Sequence, residues 1–227
     1  MSEPATQLPD DRFAAALRGF GPVGVLAFLG ILAGNLIVLP LSAIPVLLWA
    51  RRSRTPWREI GYVRPRSWVR TLVIGTLFGV AFKLAMKALV MPLLGADPVN
   101  HAYHDLAGNP AALPGGLYLV IVGAGFGEET VFRGYLFERL GKLLGSGPAA
   151  KTATVLLTSA LFALAHYADQ GLAGTEQAAF TGLVFGSIFA RTGSIWLPMV
   201  AHAAFDVTAV WIIYRDAESA IAHLVFR

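Results

Sequence analysis

The sequence predicts an all-α protein, a polytopic bundle of about six to eight transmembrane helices forming one integral membrane domain over residues 1–227. Three observations lead there. Apolar residues make up 56% of the chain and charged residues 14%, where a soluble domain carries roughly 25% charged. Mean hydropathy is +0.61. The basic residues gather between apolar stretches, which is the pattern of membrane topology.

A spanning helix needs about 20 mostly apolar residues, and six segments qualify or nearly do. The first, 22–50, is long and contains Asn35, Pro40 and Pro45, so a kinked or strongly tilted helix is expected. The second is 69–95. The third begins near Gly115 and runs into the charged stretch after Glu128. The fourth, fifth and sixth are about 149–167, 176–190 and 194–214. Residues 215–227 read as a short amphipathic tail. The first 19 residues carry Glu3, Asp10 and Asp11 and lack the basic start of a cleaved signal peptide, so the first apolar stretch is expected to be retained.

Twelve of the eighteen Lys and Arg residues fall in 51–70, in 133–151 and at Arg191. Four fall at the N-terminus (Arg12, Arg18) and in the tail (Arg215, Arg227), and none in 96–114 or 168–175. Six spans with the N-terminus outside fit this asymmetry under the positive-inside rule. The last two, Lys83 and Lys87, lie one turn apart in the second span; snorkelling toward its outer end is the first reading, and a site role is the alternative. The net charge of +4 thus reports topology, not nucleic-acid binding. The chain has no cysteine, which excludes disulfides, thiolate metal sites and a Cys nucleophile. Small residues four apart (Gly75 and Gly79, Gly123 and Gly127, Gly182 and Gly186) let helices approach closely in lipid.

Ionisable groups inside membrane spans are costly and mark function by default. Of the acidic residues, Glu128, Glu129 and Asp206 lie on apolar segments, as do His166 and His202 among the histidines, with Arg133 nearby. Residues four apart share a helix face. Glu129 and Arg133 can therefore pair within their helix, and Glu128 is left free to face something else. His202 and Asp206 repeat the spacing, as do Phe162 and His166. A carboxylate beside an imidazole can activate water as a general base, and a second His could donate to an oxyanion. Glu128, His166 and His202 could instead hold a metal such as zinc with one open position. The residue set serves either chemistry, with zinc or with no cofactor.

These motifs resemble those of the CPBP family of CAAX proteases and bacteriocin-processing enzymes, which includes the lysostaphin-resistance-like proteins. The family's Glu-Glu-x-x-x-Arg reads Glu128-Glu129-Thr130-Val131-Phe132-Arg133. Its Phe-x-x-x-His reads Phe162 to His166, and its His-x-x-x-Asn/Asp reads His202 to Asp206. The likeness covers about 115–210, the expected catalytic core. It implies an intramembrane protease, of glutamate or metalloprotease type, that cuts membrane-associated peptides or proteins in contact with lipid. In that reading Glu128 activates water, His166 helps to bind it, and His202 stabilises the oxyanion with Asp206 beside it. Glu129 and Arg133, with Phe162, support them. The eukaryotic CAAX enzymes carry Asn at the last position. An ionised Asp cannot donate to an oxyanion, so Asp206 is either protonated, orients His202 or binds a metal. The alternative implied by the same family is a non-catalytic immunity or partner-binding module. The location is a multi-pass membrane protein, in the cytoplasmic membrane for a bacterial source.

One geometric expectation follows from the simple boundaries. They place Glu128 beyond the middle of the third span and His166 near the outer end of the fourth. His202 lies about a third of the way up the sixth. A single site then requires the fourth span to start lower or to tilt.

Overall fold

The computed structural model describes residues 9–37 and 41–226, and among these there is no strand. Glu3, Pro40 and Arg227 lie outside the described residues. Helix α1 is Pro9–Arg18, α2 is Pro22–Ile37 and α3 is Ala43–Arg52. Helix α4 is Trp68–Leu93, with π-helical winding at Met86–Val90. Helix α5 runs continuously over 113–144, with α-helical ends at Leu113–Tyr118 and Phe137–Leu144 and π-helical winding over Leu119–Leu136. Helices α6 (Pro148–Ala165), α7 (Tyr167–Thr192), α8 (Trp196–Tyr214) and the short α9 (Glu218–Ala222) complete the chain.

Among the described residues three helices, α4, α6 and α8, are long and apolar enough to cross a membrane. The pair Asp11–Arg18 and Pro22–Asn35, bent by 60°, makes a fourth if it is one span. Large apolar side chains point outward from them: Val69 and Leu77 on α4, Leu164 on α6 and Trp211 on α8. A monomeric soluble protein would not leave such a surface open.

The boundaries differ from the sequence reading in three places. The expected first span, 22–50, is divided between α2 and α3. The expected outer loop 168–175 is helical and belongs to α7, bent at Gly171 with φ 61° and ψ −157°. That backbone region is open essentially to glycine alone. The tail is not merely peripheral: Glu218 is 2% exposed and pairs with Lys87 at 3.0 Å. Nor do the two lysines snorkel. Lys83 is 6% exposed and donates to Gln177 Oε1 at 2.8 Å. Internal acceptors hold both ammonium groups, so they have no need of the interface.

Small residues set the helix spacing. Gly75 and Gly79 of α4 lie against Val200, Ala201 and Ala204 of α8. Gly125 of α5, lying between the expected Gly123 and Gly127, meets Ala203 of α8; a Cβ there would sit 2.8 Å from the Ala203 Cβ. Gly182 of α7 meets Ser159 of α6, with a Cβ 3.0 Å from the Ser159 Cα. A Cβ on Gly79 would overlap the Ala201 carbonyl oxygen, which is backbone and cannot swing aside. Gly79→Val is therefore expected to cost about 1–3 kcal/mol by overpacking, read as a lower Tm in detergent. An unchanged Tm would mean that α4 and α8 do not meet closely.

The basic loop between α3 and α4 is anchored from below. It makes a 3-10 turn at Trp57–Ile60 and leaves it through Gly61, whose φ of 82° suits glycine. The Gly61 carbonyl accepts from the Ile195 amide at 2.9 Å, which ties the loop to the start of α8. Tyr62 then stands edge-on to Trp196, with centroids 5.4 Å apart. Its hydroxyl lies 2.7 Å from Thr130 Oγ1 on α5. Thr130 itself donates to the Phe126 carbonyl at 2.7 Å, so Tyr62 is the donor to Thr130. Burial pushes the Tyr62 phenol up to about 12. The ordinary value is about 10, so between about pH 10 and about pH 12 the folded chain holds a proton that the unfolded chain has lost. Stability from this group is intact below about pH 10 and is lost as pH rises toward about 12. Tyr62→Phe, which cannot ionise, is expected to show a smaller alkaline fall in Tm than the parent. An equal fall would mean that Tyr62 is not buried against α5.

At the other end of α5, buried Arg139 holds the turn between α1 and α2. It donates to the Arg18 carbonyl at 2.8 Å and to the Gly19 carbonyl at 2.9 Å. These are carbonyls that the end of a helix leaves unpaired. The positive-inside count had treated this arginine only as a loop charge.

Candidate active site

The centre of the bundle is built where α5, α6, α7 and α8 converge. The run Gly123-Ala124-Gly125-Phe126-Gly127 has few bulky side chains, and here α5 takes the wide π winding often found at functional sites. It presents Glu128, Glu129 and Arg133, all buried.

Glu129 and Arg133 form the core of the arrangement. Arg133 Nη1 donates to Glu129 Oε1 at 2.8 Å, with both side chains essentially inaccessible. The guanidinium lies 4.6 Å from the Phe162 ring centroid and 5.8 Å from that of Phe185. Aromatic faces of this kind attract a weakly hydrated planar cation.

The same Glu129 oxygen reaches a second helix. His202 Nδ1 of α8 lies 2.8 Å from Glu129 Oε1. A carboxylate that accepts from arginine is an acceptor here too, so His202 Nδ1 is the donor. Its other nitrogen, Nε2, faces Asp206 Oδ2 at 3.3 Å and Glu128 Oε2 at 3.7 Å. The Phe185 ring packs against the imidazole with centroids 5.2 Å apart. The position of His202 and the proton on its Nδ1 are thus fixed from the Glu129 side, which leaves Nε2 to the cavity. Glu128 Oε2 is buried and has no hydrogen-bond partner among the described residues.

His166 sits at the end of α6, half-buried. Its Nδ1 is 2.8 Å from the Phe162 carbonyl. A carbonyl only accepts, so Nδ1 donates, and in the neutral ring Nε2 is an acceptor. Phe162 serves twice: its carbonyl orients His166, and its ring covers Arg133 and lies 4.6 Å from the His166 ring.

Glu128, His166, His202 and Asp206 line one cavity of about 370 Å³, together with Phe162 and Phe205. The conflict of depth raised by the simple boundaries is absent, since α6 ends at the level where α5 and α8 present their groups. Lys83, for which a site role was the alternative reading, lines the cavity; Tyr62, Phe185 and Gln177 were not expected at or beside the site. Lys83 carried a signal, a charge in an apolar span. Phe185 and Gln177 carried none, because their place depends on how α7 is rotated.

The metal alternative does not fit this geometry. Among the described residues no three His, Cys, Asp or Glu groups converge as ligands for one ion.

Residues 110–208 match the family described as Rce1-like, type II CAAX prenyl endopeptidase. The matched segment contains all three motifs. No curated protein and no solved structure matches the chain.

Proposed function

We propose, from the CPBP family of membrane proteases to which this chain belongs through residues 110–208 and from the geometry of its buried site, that it hydrolyses peptide bonds by water activated at Glu128. The observation that carries this reading is the buried Glu128 Oε2, unpartnered among the described residues, in a cavity shared with His166, His202 and Asp206.

In this mechanism a water enters between Glu128 and His166 Nε2, which accepts one of its hydrogens. Glu128 takes the other proton as the oxygen attacks the carbonyl carbon. The carbonyl oxygen gains the negative charge and accepts from Nε2–H of His202, which in this mechanism carries a proton on both nitrogens, as an imidazolium between Glu129 and Asp206. Asp206 takes up the orienting role, since it lies 3.3 Å from His202 Nε2 and sits on the same helix face. When the C–N bond breaks, Glu128 returns its proton to the leaving amine. Glu129 and Arg133 touch no reacting atom; they hold His202 in position. The substrate is a peptide or protein with a membrane-associated segment. The whole chain acts as one membrane domain, with the basic segments 51–70 and 133–151 on the cytoplasmic side; the expected N-terminus outside does not fit the bonds of Arg139 to the Arg18 and Gly19 carbonyls, which put the α1–α2 turn beside those segments.

The test is incubation of the purified protein with a panel of membrane-tethered peptides, with products identified by mass. The expected result is a defined pair of fragments that the Glu128→Ala variant does not produce. The same fragments from both proteins would sink the reading. A partner captured equally by both, with no fragments, would favour the non-catalytic module.

A further inference from the structure

Two of the side chains lining the catalytic cavity carry a buried oxygen with no hydrogen-bond partner among the described residues. One is Glu128, to which the mechanism gives the water. The other is Asn35 of α2, which is 5% exposed and whose Oδ1 is unpartnered. A buried amide group in this state is costly, and the hydrolytic steps described above make no use of it.

The packing of α2 brings Asn35 to the level of the reacting groups. Arg139 of α5 holds the turn that precedes α2, and Phe28 meets Tyr135 with ring centroids 6.1 Å apart. Residue numbers rise along α2 as they fall along α5, so the two helices run antiparallel. A further step of seven residues in each leads to Asn35 and to Glu128, and both line the cavity. Asn35 is thus supplied to the site by a helix outside the segment that carries the three motifs.

The cavity wall says what Asn35 can bind. Lys83, Asn100, Asp169 and Gln177 also line a second chamber of about 460 Å³, and Asn35 does not. The wall that is not shared is largely apolar, with Leu119, Val120, Ala124 and Ala165. A peptide that enters such a space loses water from every N–H and C=O, and each group left unpaired is costly. Glu128, His166 and His202 are committed to the bond being cut. A carboxamide offers an acceptor oxygen and an NH₂ in one plane, the complement of the N–H and C=O of a peptide group. It carries no charge, so it recognises backbone and is indifferent to side chains. We propose that Asn35 binds a backbone peptide group of the substrate next to the scissile bond, and so holds an extended segment in register with Glu128. This rests on the hydrolytic reading given above and adds a substrate-binding residue to it.

The experiment uses the full chain in detergent with membrane-tethered peptides in which one peptide bond at a time, the cut bond excepted, is replaced by an ester. An ester lacks the N–H and has a weaker acceptor oxygen. In the parent, one ester position beside the cut should lower kcat/KM roughly 5- to 100-fold, the effect of leaving a buried polar group unpaired. In Asn35→Leu the all-amide peptide should lose a similar factor, mostly through KM, and the same ester should cost nothing more. Asn35→Ala should repeat this pattern. The Tm of Asn35→Leu should not fall, since Oδ1 has no hydrogen bond among the described residues to lose. A second reading is free of chemistry: the Glu128→Gln protein should bind the amide peptide more tightly than the ester, and adding Asn35→Leu should abolish the difference. Ester-sensitive binding that depends on Asn35, without cleavage by the parent, would uphold this inference while the hydrolytic reading fails. Cleavage by Asn35→Leu and Asn35→Ala at the parent's rate would overturn it while hydrolysis stands. Losses that multiply between variant and ester would also overturn it, because Asn35 would then not meet that peptide group. A collapse of Tm in both variants would make Asn35 a structural group and would overturn it as well.

Discussion

Replacing Glu128 by Gln is expected to lower the cleavage rate by about 10²–10⁴-fold, the range that a positioned general base contributes, and to leave the fold as it is. The substitution keeps the size and shape of the side chain. It removes only the basic oxygen and places an NH₂ or a carbonyl where the carboxylate stood. The fold loses little by this, because Glu128 Oε2 makes no hydrogen bond and comes no closer to His202 Nε2 than 3.7 Å. Rate and Tm should therefore separate. Single-turnover cleavage measured by product mass gives the first, and thermal unfolding in the same detergent gives the second. A Gln variant that cuts within a few-fold of the parent would remove Glu128 from the base role. A variant whose Tm collapses would make Glu128 a structural group.

The contrast between the two adjacent glutamates shows what could be read from spacing and what could not. The four-residue step from Glu129 to Arg133 is a local relation, and the structure closes it at 2.8 Å. The same step from His202 to Asp206 brings the two groups to 3.3 Å. Local relations depend on helix geometry alone. The bond between Glu129 and His202 joins residues 73 apart in sequence. It depends on the rotation of α5 against α8, and that is set by where Gly125 lets Ala203 approach. No periodicity within either helix encodes it.

Charge burial followed the same division. A charge in the middle of an apolar run was visible at once, as at Glu128 and Glu129. Glu138 and Glu218 are also buried, but they lie in polar stretches. They are covered only because α5 continues to 144 and because the tail folds back on Lys87. Lys83 was visible as a charge, and its treatment as a snorkelling side chain failed for a physical reason. Gln177 offers an internal acceptor on a neighbouring helix, and an ammonium with an acceptor at 2.8 Å need not reach for the interface.

Arg133→Met should be the most destabilising substitution in the site. Removing one member of a buried ion pair typically costs about 3–5 kcal/mol, because the other charge is left uncompensated. Met is long enough to occupy the space between the rings of Phe162 and Phe185, so loss of packing should contribute little beside the charge. The double variant Glu129→Leu with Arg133→Met removes both charges and should recover much of the lost Tm. Activity should not return with it. His202 Nδ1 would then have lost the acceptor that orients the ring, and its Nε2 would no longer be held toward Asp206 and Glu128. The informative result is this separation of stability from rate across the three variants. Recovery of both in the double variant would mean that the pair serves the fold alone. A single variant as stable as the parent would mean that Glu129 and Arg133 do not meet in the interior.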